Sequence, residues 1–123
     1  MSAVAPLSDG WRDLAPAIHR QRLVIEGVAP VPIDDEEIRG YLRDLGDVIE
    51  MVVLTEPVTH RSEDWGWAGW VHWETSGAHF YAWERPVLFF SVDIYACKVF
   101  SDEAAVAHAR EFFGASDVVH RRF

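Results

Sequence analysis

The chain has a single cysteine, Cys97, among its 123 residues. An internal disulfide and a zinc cluster of cysteines are therefore excluded, and nothing points to an oxidising compartment. Basic side chains are also few, 11 against 20 acidic ones, for a formal net charge of -9. Nucleic acid and anionic membranes need a basic face that releases counterions, so neither is an expected partner. A cationic or neutral small molecule suits the charge better. No run approaches the roughly 18 apolar residues of a membrane span. The opening MSAVAPLSDGWRDLAPA lacks a basic start followed by an apolar stretch. The chain reads as soluble, with the cytoplasm as the expected compartment. His60, His72, His79 and His108 lack the His-x-x-x-His spacing of a helical metal site, so no metal is expected. There is no internal repeat and no low-complexity tract.

What is present is apolar surface, half of all residues, enough for one compact core and too little chain for two. Residues 1–20 carry Pro6, Gly10 and Pro16 without sustained periodicity and read as a flexible N-terminal arm; residues 21–123 read as one domain. RLVIEGV is short and β-branched and ends at Pro30 and Pro32, as a strand followed by a loop should. Asp34 with Glu37 resembles a capping box. Ile38, Tyr41, Leu42 and Leu45 then mark one apolar helix face that Gly46 should stop. Four strand-like runs follow, IEMVVLTE, GWVHW, AHFYAWE and LFFSVDIYACKVF, separated by Pro57 with a polar loop, by Thr75-Ser76-Gly77 and by Arg85-Pro86. Ser101 is placed to cap a second helix with Ala105, Ala109, Phe112 and Phe113 on one face and Gly114 at its end; DVVHRR reads as a last strand.

This order predicts an α+β fold: a two-layer α/β sandwich with a largely antiparallel sheet and both helices on one face. Phe90, Val92, Ile94 and Ala96 form a plain apolar set, whereas Phe89, Ser91, Asp93, Tyr95 and Cys97 are mixed, as are His79, Tyr81 and Trp83 on the preceding strand. A face exposed to water should not hold so many aromatics. It is expected to be covered, most simply by the sheet of an identical subunit in a homodimer, or else to form an aromatic-lined ligand pocket.

One block is more specific. The stretch GWAGWVHWETSGAHFYAWERPVLFFSVDIYAC, Gly66 to Cys97, resembles the core of the bacterial and archaeal S-adenosylmethionine decarboxylases. In that family a Gly-x-Ser-Gly strand leads to a Glu-Ser cleavage pair, then seven residues on to a Trp, then to a Val-Asp-hydrophobic-aromatic-small-Cys strand. Here Gly66, Gly69, Ser76, Trp83, Val92, Asp93, Tyr95 and Cys97 take those positions, with one extra residue between Trp83 and Val92. The flanking elements occur in the family's order, so the resemblance covers roughly residues 20 to 123.

The resemblance implies a pyruvoyl cofactor derived from Ser76. Decarboxylation of an α-amino acid leaves a carbanion that needs an electron sink, which such a group supplies. In the family the serine hydroxyl attacks the preceding carbonyl, the resulting ester eliminates and the chain splits, here between Thr75 and Ser76. Cys97 takes the place of the family's proton donor, and Trp83 and Glu84 are the implied substrate-binding residues. The implied substrate is S-adenosylmethionine or another cationic amino acid, whose sulfonium or adenine suits an aromatic face. Three positions depart from the pattern: Ala68 replaces a serine, Thr75 a glutamate and Tyr81 a histidine. Tyr81 and His79 are the residues left to assist cleavage. The alternative to an enzyme is an unprocessed paralogue that binds a ligand or regulates an active homologue; a plain interaction domain is the third reading.

Overall fold

The computed structural model describes residues 10–123. Residues 1–9 of the expected arm lie outside the described residues. Between Gly10 and Arg20 there is no helix or strand, only a turn closed by the Ile18 N–H on the Ala15 carbonyl and an ion pair of Arg20 with Asp13.

From there the chain runs β1 (Gln21–Val28), α1 (Asp35–Val48), β2 (Val58–Ser62), β3 (Gly66–Trp73), β4 (Ser76–Trp83), β5 (Phe89–Ala96), α2 (Asp102–Phe113) and β6 (Asp117–Arg122). The six strands make one sheet in the order β2-β3-β4-β5-β1-β6, and every neighbouring pair is antiparallel. Both helices lie on one face, giving the expected two layers. Leu23, Ile25, Phe80, Phe90, Val92 and Ile94 point from the sheet into a core closed by Ile38, Tyr41, Leu42 and Leu45 of α1 and Ala105 and Ala109 of α2.

The helix ends follow local rules. Asp34 accepts from the Glu37 N–H while the Glu37 carboxylate accepts from the Asp34 N–H, a complete capping box. Ser101 caps α2 through the Ala104 N–H, and Gly114 ends it in the left-handed conformation at φ 60°.

Three local expectations are corrected. Gly46 does not stop α1, which continues to Val48. The glycine serves packing instead, because a Cβ there would lie 2.9 Å from Trp73 Nε1. IEMVVLTE is not a strand. The N–H groups of Ile49, Glu50 and Met51 are taken by the carbonyls of Leu45, Asp47 and Gly46 at the end of α1, so the first third of the run completes the helix. Only Val53 makes a β-bridge, to Trp73, and the edge strand forms after Pro57, in the stretch expected to be loop. Finally, the β3–β4 hairpin turns on Glu74 and Thr75, since Ser76 already pairs with Trp73. Gly77 is an ordinary strand residue, and the glycines with positive φ among the described residues are Gly10, Gly66 and Gly114.

Candidate active site

At the end of the sheet where the β3–β4 hairpin meets the exit of β5, Thr75 lies across from Cys97. The Cys97 N–H donates to the Thr75 carbonyl over 2.9 Å, one step beyond the Ser76–Ala96 pair. Ser76 is half-buried, and its row in the sheet is the core-facing one of Trp73 and Ala96. Its Oγ donates to Met51 Sδ at 3.4 Å and lies 2.9 Å from Thr75 Oγ1. No histidine, carboxylate or lysine is among the hydrogen-bond partners of that hydroxyl. A thioether accepts weakly and takes no proton. The Cys97 thiol is exposed, beyond the end of β5. Ser76 and Cys97 are thus adjacent through the backbone, but Cys97 lies past the strand whose parity set it on the mixed face, and Ser76 belongs to the core-facing row. Parity stops holding where the strand stops.

The face away from the helices carries the remaining candidates. His79 is placed between Trp70 and Asp93, and Tyr81 between Ala68 and Ser91. Two of the three departures from the family pattern, Ala68 and Tyr81, are therefore direct cross-strand partners, and they remodel one spot together. Ser91 Oγ beside Tyr81 donates to Glu26 Oε2 at 2.9 Å. Asp93 is held by Arg22 through two hydrogen bonds of 3.0 and 2.7 Å, and these, with the attraction of opposite charges, push the guanidinium above its already high ordinary pKa. His79 and Tyr81 are exposed on this face, opposite to the side on which the Ser76 hydroxyl meets Met51. A groove of about 570 Å³ runs from the hairpin across this end of the sheet, bordered by Ser76, His72, His79, Asp93, Tyr95 and Arg22.

Trp83 and Glu84 are elsewhere. They stand at the opposite end of β4, seven positions and roughly 23 Å of extended chain from Ser76. There Trp83 meets Trp65 edge to face at 5.8 Å, and Glu84 pairs with Arg61 at 3.3 Å. Arg61 in turn lies over the Trp67 ring. A smaller hollow of about 250 Å³ opens among Trp65, Trp67, Tyr81 and Trp83. Sequence reasoning missed Met51, Gln21 and the Arg22–Asp93 pair. For Gln21 a signal existed, a polar residue at an inward position of β1; for Met51 there was none.

The model of the family described as S-adenosylmethionine decarboxylase matches residues 25–123. The chain belongs to that family. Among solved structures, the decarboxylase family fold is matched by the adenosylmethionine decarboxylase of Aquifex aeolicus VF5, with a TM-score of 0.66 over 86% of this chain and 89% of that one, at 12% identity. No curated protein matches. At such low identity the structural likeness speaks for the fold, and the family model carries the assignment. Among the described residues no helix is long and apolar enough to cross a membrane and no cluster of three metal-ligating side chains occurs.

Proposed function

We propose that this S-adenosylmethionine decarboxylase family member cleaves itself between Thr75 and Ser76 and decarboxylates S-adenosylmethionine or a related cationic amino acid. The observation that carries the reading is the Cys97 N–H on the Thr75 carbonyl. It polarises the carbonyl that Ser76 Oγ must attack and sets the proposed proton donor beside the cleavage bond. In cleavage, Oγ bonds to the Thr75 carbonyl carbon while the Thr75–Ser76 C–N bond breaks and the hydroxyl proton passes to nitrogen. Loss of the Ser76 Cα proton then expels Thr75 as a carboxylate, and water releases the nitrogen as ammonia. A backbone donor aimed at that oxygen stabilises the charge developing there.

Ser76 fits the position of a pyruvoyl group, half-buried at the end of a groove with its upstream carbonyl already engaged. That group supplies the electron sink for decarboxylation. Cys97 Sγ holds the proton returned to the substrate α-carbon, while the hairpin's Glu74 leaves the groove with an excess negative charge that suits a cation, Asp93 being paired with Arg22. Trp83 and Glu84 reach a substrate at Ser76 only from a second copy, so the reading includes a homodimer whose sheets cover each other's open faces. The compartment proposed is the cytoplasm.

A second reading is favoured by a different observation: among the described residues the Ser76 hydroxyl bonds only Thr75 Oγ1 and Met51 Sδ. With no base at that atom the chain stays whole and acts as a ligand-binding or regulatory paralogue. Intact-mass measurement of the purified protein decides between them. Two fragments meeting at Thr75/Ser76, the second reactive towards hydroxylamine, are expected for the enzyme. A single full-length mass from folded protein overturns it, and thermal stabilisation by S-adenosylmethionine then identifies the binding paralogue.

A further inference from the structure

Gln21 opens β1 at a position that alternates with Leu23 and Ile25, and it is as buried as they are, at 3% exposure. Apart from the aromatic Tyr41 and Trp73, it is the buried side chain among the described residues that carries polar atoms. A buried amide is costly unless its donors and acceptor are all met, and here they are. Nε2 donates to the Phe100 carbonyl at 2.9 Å and to Asp102 Oδ1 at 2.8 Å. Oε1 accepts from the Phe100 N–H at 3.2 Å and lies 3.1 Å from His19 Nε2. Gln21 thus grips both main-chain groups of one residue, as a neighbouring strand would. Its partners are 79 and 81 residues away.

Phe100 belongs to the irregular segment between the end of β5 and the Ser101 cap, and that segment begins with Cys97. Its other tethers are the Cys97 N–H on Thr75, the Lys98 ammonium on the Glu50 carbonyl and the Phe100 ring, buried in the core. With no ladder or helix of its own, the segment takes its path from these attachments. We infer that Gln21 is a positioning residue for Cys97: it helps fix the far end of the segment and thereby keeps the Cys97 N–H on the Thr75 carbonyl. The catalytic meaning rests on the reading of Cys97 given above; the mechanical link does not.

The test is native-state amide exchange on the full-length chain, alone and with Gln21→Leu and Gln21→Glu. Gln21→Leu keeps the bulk and removes the grip, so protection of the Cys97 amide is expected to fall by about tenfold, the scale of one lost hydrogen bond, while the amides of Leu42 and Leu45 in α1 keep theirs. Gln21→Glu loses its donor at neutral pH and faces Asp102, whose other oxygen is held by Arg122, with the His19 ring on its far side. Protection at Cys97 should fall there and return as the pH drops far enough to protonate the introduced carboxyl, because a protonated carboxyl again both donates and accepts. Relief of a buried carboxylate by protonation would restore all amides together, so the deciding outcome is loss and rescue confined to Cys97 while Leu42 and Leu45 keep their protection; that pattern keeps Gln21→Glu decisive if Gln21→Leu does not fold. Unchanged Cys97 protection in the folded variants, or uniform loss at all amides, overturns the inference. If the parent chain gives one full-length mass while these shifts occur, the decarboxylase reading has failed and the clamp stands. If the chain is processed, Gln21→Glu at neutral pH should lower kcat with KM little changed.

Discussion

The Cys97 N–H donates to the Thr75 carbonyl over 2.9 Å, so the residue proposed to protonate the product also touches the bond proposed to break. It does the first with its side chain and the second with its backbone. This division allows the two reactions to be separated by mutation.

Cys97→Ser keeps the backbone donor and should leave cleavage at Thr75/Ser76 intact by mass. Turnover should fall by about 10²-fold or more, the usual worth of a placed proton donor. Ser76→Ala should give one uncleaved mass with an unaltered circular dichroism spectrum. Equal loss of cleavage in both variants would show that the thiol, rather than the N–H, assists processing.

Tyr41 gives a prediction about stability. Its hydroxyl is fully buried with no hydrogen-bond partner among the described residues, while its ring packs on Phe80 and Phe113 and stacks on His108. Burial pushes the phenol well above its ordinary value of 10.0. Because the folded-state pKa is raised, Tyr41's share of stability is fully present below about pH 10 and is lost as the pH rises towards the folded-state value, since the unfolded chain ionises first. Tyr41→Phe removes the unmet hydroxyl and should stabilise the fold by ~1 kcal/mol, with a shallower decline in alkali. Denaturant midpoints at pH 8 and above 10 measure both effects.

Tyr81 and Tyr95 stand on the open face with 43% and 50% of their surface exposed. If a second sheet covers that face, a Tyr81→Asp, Tyr95→Asp variant should bury unpaired charge and sediment as a monomer where the parent sediments as a dimer. Identical sedimentation of the two proteins places the interface elsewhere or removes it.

The amino-acid sequence by itself determined the elements whose causes are local. The Asp34–Glu37 capping box, the Ser101 cap, the Gly114 stop and the alternation along β5 need only neighbouring residues, and all stand in the fold. Its motif spacing also selected Ser76 and Cys97 and the family. Tertiary structure decided the rest because the decisive partners are distant in the chain. Ile49 to Met51 looked like strand until the carbonyls of α1 claimed their N–H groups, and no pattern within the run reveals that competition. Trp83 shared a motif with Ser76 yet stands, with Glu84 after it, at the other end of the strand, since an extended chain carries seven residues far from their start. Ser76 found its hydroxyl's partner in Met51, 25 residues back, and the segment holding Cys97 found its anchor in Gln21. Sequence spacing chose the chemical groups; only three-dimensional register decided which of them meet.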